Sequence, residues 1–209
     1  MTESVTDRYR PLPLVEAMPG GAQIAELVDG EVVPRQRATG QARPLVWRVF
    51  QALHLACHGQ PGGGVRGPGG WRLLAEPELH LGPQILVPDM AGWMWHRLPD
   101  APDLPYVATV PDWACEITED ATSAVGHGRK RPIYARSGVK TLWFIDLVQG
   151  HVEVLHNRDG AWAVATTVRL DTGCRLPPFE HVELDLGLPS EADTKRMRVL
   201  ADGTVPSAT

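Results

Sequence analysis

Short extended apolar runs dominate the hydrophobic pattern of this chain. Ile24 to Val33 places two of them around Asp29-Gly30, a tight-turn dipeptide, and predicts a β-hairpin. Leu45, Val49, Leu53 and Ala56 recur at helical spacing and predict a helix with one buried face, Pro44 suiting its first turn. Trp71 to Leu81 predicts a strand carrying Glu76 and Glu78. Gly82-Pro83 then turns the chain into Gln84 to Val87, so that these runs form a hairpin ending at Asp89. Trp113 to Ile117 predicts a buried strand, Thr118 to Gly126 a loop, and His127 to Ser137 a helix closed by Gly138. Leu142 to Ile145 is unbroken apolar, as in a central strand covered on both faces. His151 to Leu155 and Ala161 to Val168 flank Asn157-Arg158-Asp159-Gly160 and predict a second hairpin. Val182 to Leu186 adds an edge strand.

The remaining stretches lack such periodicity. Ala91 to Val110 holds Trp93, Trp95, His96 and Arg97 followed by a Pro- and acid-rich run, and reads as a long irregular surface segment. Gly59 to Gly70 holds seven glycines in twelve positions. No Gly-Lys-Ser/Thr follows and Trp71 opens a strand, so a flexible connector is expected rather than a phosphate cradle. Residues 1–20 are expected to form a polar, Pro-rich mobile arm and 190–209 a frayed tail, leaving one domain over 21–189. Strands with few helices imply an α/β or mixed α+β fold.

Composition narrows the function classes. A net charge of -5 excludes a general polyanion binder, so any nucleic-acid contact must come from a local basic patch. No apolar run reaches the length of a membrane span, and 1–20 lacks a signal-peptide core. Cys57, Cys115 and Cys174 are odd in number and unpaired in spacing, which points to a reducing cytoplasm.

The candidate chemistry lies between Val87 and Val139. Asp89 ends one extended run, Glu116 sits inside another, and Lys130 belongs to the helix that follows. Two carboxylates on neighbouring strands suit a hard divalent cation, and a nearby lysine can steady charge on a phosphate. Asp112, in a second Pro-Asp pair, rivals Asp89, because it lies four residues before Glu116 on the same strand face. Glu116 among Trp113, Ala114, Cys115 and Ile117 needs a basic or metal partner if buried. Arg129, Lys130, Arg131 and Arg136 form a basic cluster that reads either as a solvated helix face or as phosphate contacts. His54 and His58, with Cys57 between them, have a spacing that can bind zinc, but no third ligand is in register and an exposed polar face is expected.

These segments, Val-Pro-Asp-Met-Ala-Gly-Trp, Pro-Asp-Trp-Ala-Cys-Glu-Ile, Gly-Arg-Lys-Arg-Pro-Ile-Tyr-Ala-Arg-Ser-Gly-Val and Leu-Trp-Phe-Ile-Asp, resemble the Uma-type family of restriction endonucleases, within the PD-(D/E)xK nuclease superfamily. The likeness runs from about Ile24 to Leu188. It implies a restriction-endonuclease-like mixed central sheet with flanking helices and peripheral hairpins. It also implies Mg²⁺- or Mn²⁺-dependent cleavage of DNA, with Asp89, Glu116 and Lys130 as catalytic residues. The family's metal-site Asp falls in the Val-Pro-Asp segment, which favours Asp89, and Glu78 or Glu76 would complete the metal site. Thr118 stands where the superfamily's simplest pattern has its lysine, and the family takes it from the helix, as Lys130 here. Glu119-Asp120-Ala121-Thr122 and Gly126 depart from the family's loop, and the added negative charge at Glu119 and Asp120 would repel a phosphate or recruit a second cation. Pairing of two chains would let two sites reach both DNA strands. The rival expectation is an accessory module that kept the fold, binds nucleic acid or protein, and lost turnover.

Overall fold

The computed structural model of the chain describes residues 23–36, 42–119, 121–171 and 173–187; the expected arm and tail lie outside them. The chain opens with the hairpin β1 (Gln23–Val28) and β2 (Glu31–Gln36), followed by helix α1 (Ala42–Cys57). Next come β3 (Trp71–Ala75), β4 (Leu79–Leu81), β5 (Gln84–Leu86) and β6 (Met90–Met94). Then β7 (Trp113–Thr118), helix α2 (Ala121–Ser137) and β8 (Thr141–Asp146) form a parallel crossover, a long connection that is usually a helix. The hairpin β9 (His151–Arg158) and β10 (Ala161–Arg169) and two short strands, β11 (Gly173–Cys174) and β12 (Leu184–Asp185), complete the described chain.

A six-stranded mixed sheet, in the order β10-β9-β8-β7-β6-β3, forms the centre. A smaller sheet, β2-β1-β5-β4, lies beside it. Every residue of β7 is buried, as expected for a strand covered on both faces. Trp113, Cys115 and Ile117 join α1's Leu45, Val49 and Leu53 in one core, together with Trp143 and Phe179. Ala114 alternates to the opposite face and packs with α2's Ile133 and Tyr134 and the small sheet's Val28, Leu79 and Leu86. Glu116 therefore points into the layer between α2 and the small sheet.

The mixed α+β fold agrees with the sequence reading, while several local expectations change. Trp71 to Leu81 is not one strand. It breaks after Ala75, where Glu76 takes a positive φ of 46° and Pro77 has no N–H to give a ladder, and β4 continues in the other sheet. The expected irregular segment after Ala91 contains β6, sandwiched between β3 and β7, because Gly92 lets Leu73, Trp113 and Trp71 close over the backbone. The Gly-rich stretch is packed rather than loose. Arg66 N–H and Gly69 N–H donate to Leu55 and Ala56 carbonyls at the end of α1, and a Cβ at Gly64 would sit 2.5 Å from Ala56 O. Val182 to Leu186 contributes only β12, which pairs with β11 outside the central sheet.

Candidate active site

The inner face of the β1–β2 hairpin begins the site. Asp29 and Gly30, both at positive φ, make the tight turn, and the antiparallel register sets Glu26 opposite Val33 and Ile24 opposite Arg35. Side chains of directly opposed residues share a face, so Glu26 and Arg35 point the same way. Leu27 pairs with Ile85, which ties the hairpin to β5 and brings that face over Asp89 and Glu116.

Asp89 lies between β5 and β6 and is 2% exposed. Its Oδ2 accepts from Ile117 N–H at 2.7 Å, and its Oδ1 accepts from Arg35 Nη2. Glu116 is fully buried. Its Oε1 lies 2.7 Å from Lys130 Nζ and accepts from Tyr134 O–H at 2.6 Å. Lys130 and Tyr134 are one helical turn apart on α2 and so reach the same carboxylate. Lys130 Nζ also lies 3.2 Å from Glu26 Oε1, which accepts from Val87 N–H at 2.7 Å. The end of α2 that fixes this geometry is a Schellman cap. Gly138, at φ 90°, donates to Ala135 O, and Val139 donates to Tyr134 O, both at 3.1 Å.

Three carboxylates (Glu26, Asp89 and Glu116) thus meet two cations, Arg35 and Lys130, in a space where each is less than a tenth exposed. One negative charge is left over. Burial alone would lower the Arg35 pKa, but Asp89, Glu116 and Glu26 raise it above its ordinary value. Burial first, then Glu116 and Glu26, pushes the Tyr134 hydroxyl well up, so it remains a neutral donor. The same causes, burial and then Asp89 and Glu116, raise the Cys115 thiol and make it inert.

The structure brings Asp89, Glu116 and Lys130 into one cluster and leaves Asp112 and Glu78 apart from it. Asp112 sits at the opposite end of β7, about 13 Å away at strand spacing. There Arg97 and Lys140 hold its Oδ1 at 2.7 Å each, and Met94 N–H donates to its Oδ2. Glu78 is 45% exposed, and its Oε1 lies 2.7 Å from His80 Nε2, whose ring stacks on Tyr106. Glu78, the expected third ligand, is thus held at the surface by His80, whereas Glu76 N–H donates to Asp89 O at 3.0 Å and the positive φ of Glu76 breaks the alternation that placed both acids on one face. Glu26 adds a third carboxylate to the cluster through its pairing with Lys130. Among the described residues no group of three or more His, Cys, Asp or Glu side chains is arranged to hold a metal ion. His54 and His58 stack on each other at 4.1 Å, and His58 Nδ1 accepts from Leu73 N–H, so they are packed rather than an exposed polar face.

Three arginines of the α2 basic cluster have acidic partners while staying partly exposed. Arg129 pairs with Glu31 at 2.8 Å, Arg136 with Asp29 at 2.7 Å, and Arg131 with Glu153 while lying over the Phe144 ring. The loop expected over Thr118 to Gly126 is largely the first turns of α2, with Gly126 inside the helix and Asp120 outside the described residues.

Glu26 and Arg35 escaped the sequence reading. The available signal was the alternation Ile24, Glu26, Val28, in which a charge takes an inward position of an otherwise apolar face.

Comparison with known proteins agrees with this fold. The model of the Uma2 family, described as "Putative restriction endonuclease", matches residues 12–189. The fold is similar to a crystal structure from Anabaena variabilis, described as a putative nuclease belonging to DUF820. The TM-score is 0.61 at 18% identity, over 82% of this chain and 94% of that one. At that identity the likeness speaks to the fold. No curated protein matches.

Proposed function

Since the chain belongs to the Uma2 family and has a nuclease fold, we propose that it is a divalent-cation-dependent endonuclease hydrolysing DNA phosphodiester bonds. One observation carries this reading: Asp89, Glu116 and Lys130 converge in a buried cluster with one more carboxylate than cation. Two hard oxygen ligands and a surplus negative charge suit Mg²⁺ or Mn²⁺, which commonly take one or two carboxylates and complete their shell with water and substrate phosphate. Asp89 and Glu116 would hold the ion. When bound, it supplies the positive charge that polarises a phosphate oxygen and acidifies an attacking water.

The chain's own groups do the rest. Ile117 N–H fixes one Asp89 oxygen, and Tyr134 O–H fixes one Glu116 oxygen, so both carboxylates are oriented before any ligand arrives. Lys130 offers a localised charge to the phosphate, held in place by Glu26. Burial keeps bulk water away and strengthens each of these interactions.

The test is cleavage of supercoiled plasmid in Mg²⁺ or Mn²⁺. Wild type should nick it, chelator should stop it, and Asp89→Ala, Glu116→Ala and Lys130→Met should each abolish it.

A second reading has its own support. Asp89 already carries Arg35, and Glu116 already carries Lys130, so the folded cluster is largely self-neutralised. Lack of cleavage by wild type across metals and substrates, with nucleic-acid or protein binding that persists in chelator, would establish a non-catalytic accessory module instead.

A further inference from the structure

Arg35 uses only half of its guanidinium fork. Nη2 donates to Asp89 Oδ1, whereas Nη1 is buried and has no hydrogen-bond partner among the described residues. A buried, charged donor left unmade costs its full desolvation, so such a group commonly serves a ligand. The other members of the cluster are committed. Lys130 Nζ contacts Glu116 and Glu26, and Tyr134 O–H donates to Glu116. Arg35 is also the outermost of the five charged side chains, 9% exposed against 4% for Glu26, 2% for Asp89 and Lys130, and 0% for Glu116.

The charge balance names the ligand. The cluster's single surplus negative charge becomes a single positive charge once a divalent cation is held, and one phosphodiester would neutralise it. Guanidinium is suited to such a bridge, because its parallel N–H groups can hold two oxyanions at once, which a lysine cannot do with fixed geometry.

We propose that Arg35 is a catalytic residue whose Nη1 donates to a non-bridging oxygen of the scissile phosphodiester while Nη2 keeps hold of Asp89. This rests on the nuclease reading above and adds to it a residue that ties substrate to a metal-holding carboxylate. Arg35 then links phosphate position to the orientation of Asp89, and the β1–β2 hairpin becomes part of the substrate site rather than a cover over it.

The experiment compares wild type, Arg35→Gln and Arg35→Lys in the full chain. The first readout is the fluorescence anisotropy of a labelled duplex oligonucleotide in Ca²⁺, a divalent cation that takes oxygen ligands, and the second is plasmid cleavage at saturating Mn²⁺. Both variants should bind the oligonucleotide about fivefold more weakly, the scale of one lost hydrogen bond. Both should also cleave about a hundredfold more slowly, as when one donor to a developing charge is removed. Mn²⁺ affinity should hold or tighten, since Asp89 loses a competing cation. Unchanged oligonucleotide affinity with unchanged or faster cleavage would overturn the proposal and leave Arg35 as a neutralising partner of Asp89. If wild type does not cleave, the nuclease reading fails, and the anisotropy arm still decides whether Arg35 holds phosphate. If Arg35→Gln does not fold, Arg35→Lys decides, because it keeps a cation beside Asp89.

Discussion

At one end of β7, Asp112 is flanked by Arg97 and Lys140 and by Met94 N–H; at the other, Glu116 shares Lys130 with Glu26 beside Asp89 and Arg35. Both carboxylates are buried. At the Asp112 end the cations outnumber the acid and are themselves partly exposed, Lys140 by 60%. At the Glu116 end the acids outnumber the cations and every partner is buried. The first arrangement closes a structural corner between β6, β7 and β8. The second keeps an electrostatic deficit inside the fold, which costs stability and which a bound cation would offset.

Removing one cation from each end gives the largest contrast. Lys130→Met leaves Glu116 and Glu26 with an uncompensated buried charge and should destabilise the fold by about 3–5 kcal/mol. Lys140→Met loses one exposed partner while Arg97 stays, and should cost roughly 0–1 kcal/mol. Urea unfolding of both variants checks this. Equal losses would erase the distinction between the ends.

Packing differs as the charges do. A Cβ at Gly92, beside the Asp112 end, would meet Leu73 Cδ2 at 2.8 Å and the Trp113 and Trp71 rings at 3.2 and 3.3 Å. Gly92→Ala should therefore destabilise by about 1–3 kcal/mol. Gly128, in the helix that carries Lys130, has open space around an added Cβ. Gly128→Ala should stabilise by about 0.5–1 kcal/mol, since it removes an interior helix glycine. Thermal unfolding of the two variants should show midpoints moving in opposite directions.

What the sequence revealed follows from how each element signals itself. β7, β8 and the β9–β10 hairpin were legible because continuous or alternating apolar runs end in clear turn residues. β6 was not, since Met-Ala-Gly-Trp-Met has neither alternation nor β-branched residues, and its burial depends on partners far along the chain. The first turns of α2 were hidden by Thr122, Ser123 and Gly126, weak helix formers that read as a polar loop. In the site, Asp89, Glu116 and Lys130 stood out by their motif surroundings. Glu26 and Arg35 looked like ordinary hairpin charges, and only the docking of the small sheet gives them a role.

A smaller effect concerns acid. Burial pushes the Asp112 carboxyl up, but Lys140, Met94 N–H and Arg97 outweigh it and hold it below its ordinary value. A carboxyl depressed in the folded state contributes stability that is present above its unfolded pKa, about 3.9, and lost as pH falls through the folded value. The stability gap between wild type and Asp112→Asn should therefore be constant above about pH 5 and narrow below about pH 4. Thermal melts across that range measure it, and a gap independent of pH would contradict the ion-paired picture of this corner.

The central claim, that the charge deficit at the Glu116 end is a cation site, meets its most direct test in calorimetric titration with Mn²⁺. Wild type should bind, Asp89→Ala and Glu116→Ala should each lose measurable binding, and Asp112→Ala should bind like wild type, because two carboxylates are near the minimum for such a site. Unchanged affinity in Asp89→Ala and Glu116→Ala, or loss confined to Asp112→Ala, would contradict it.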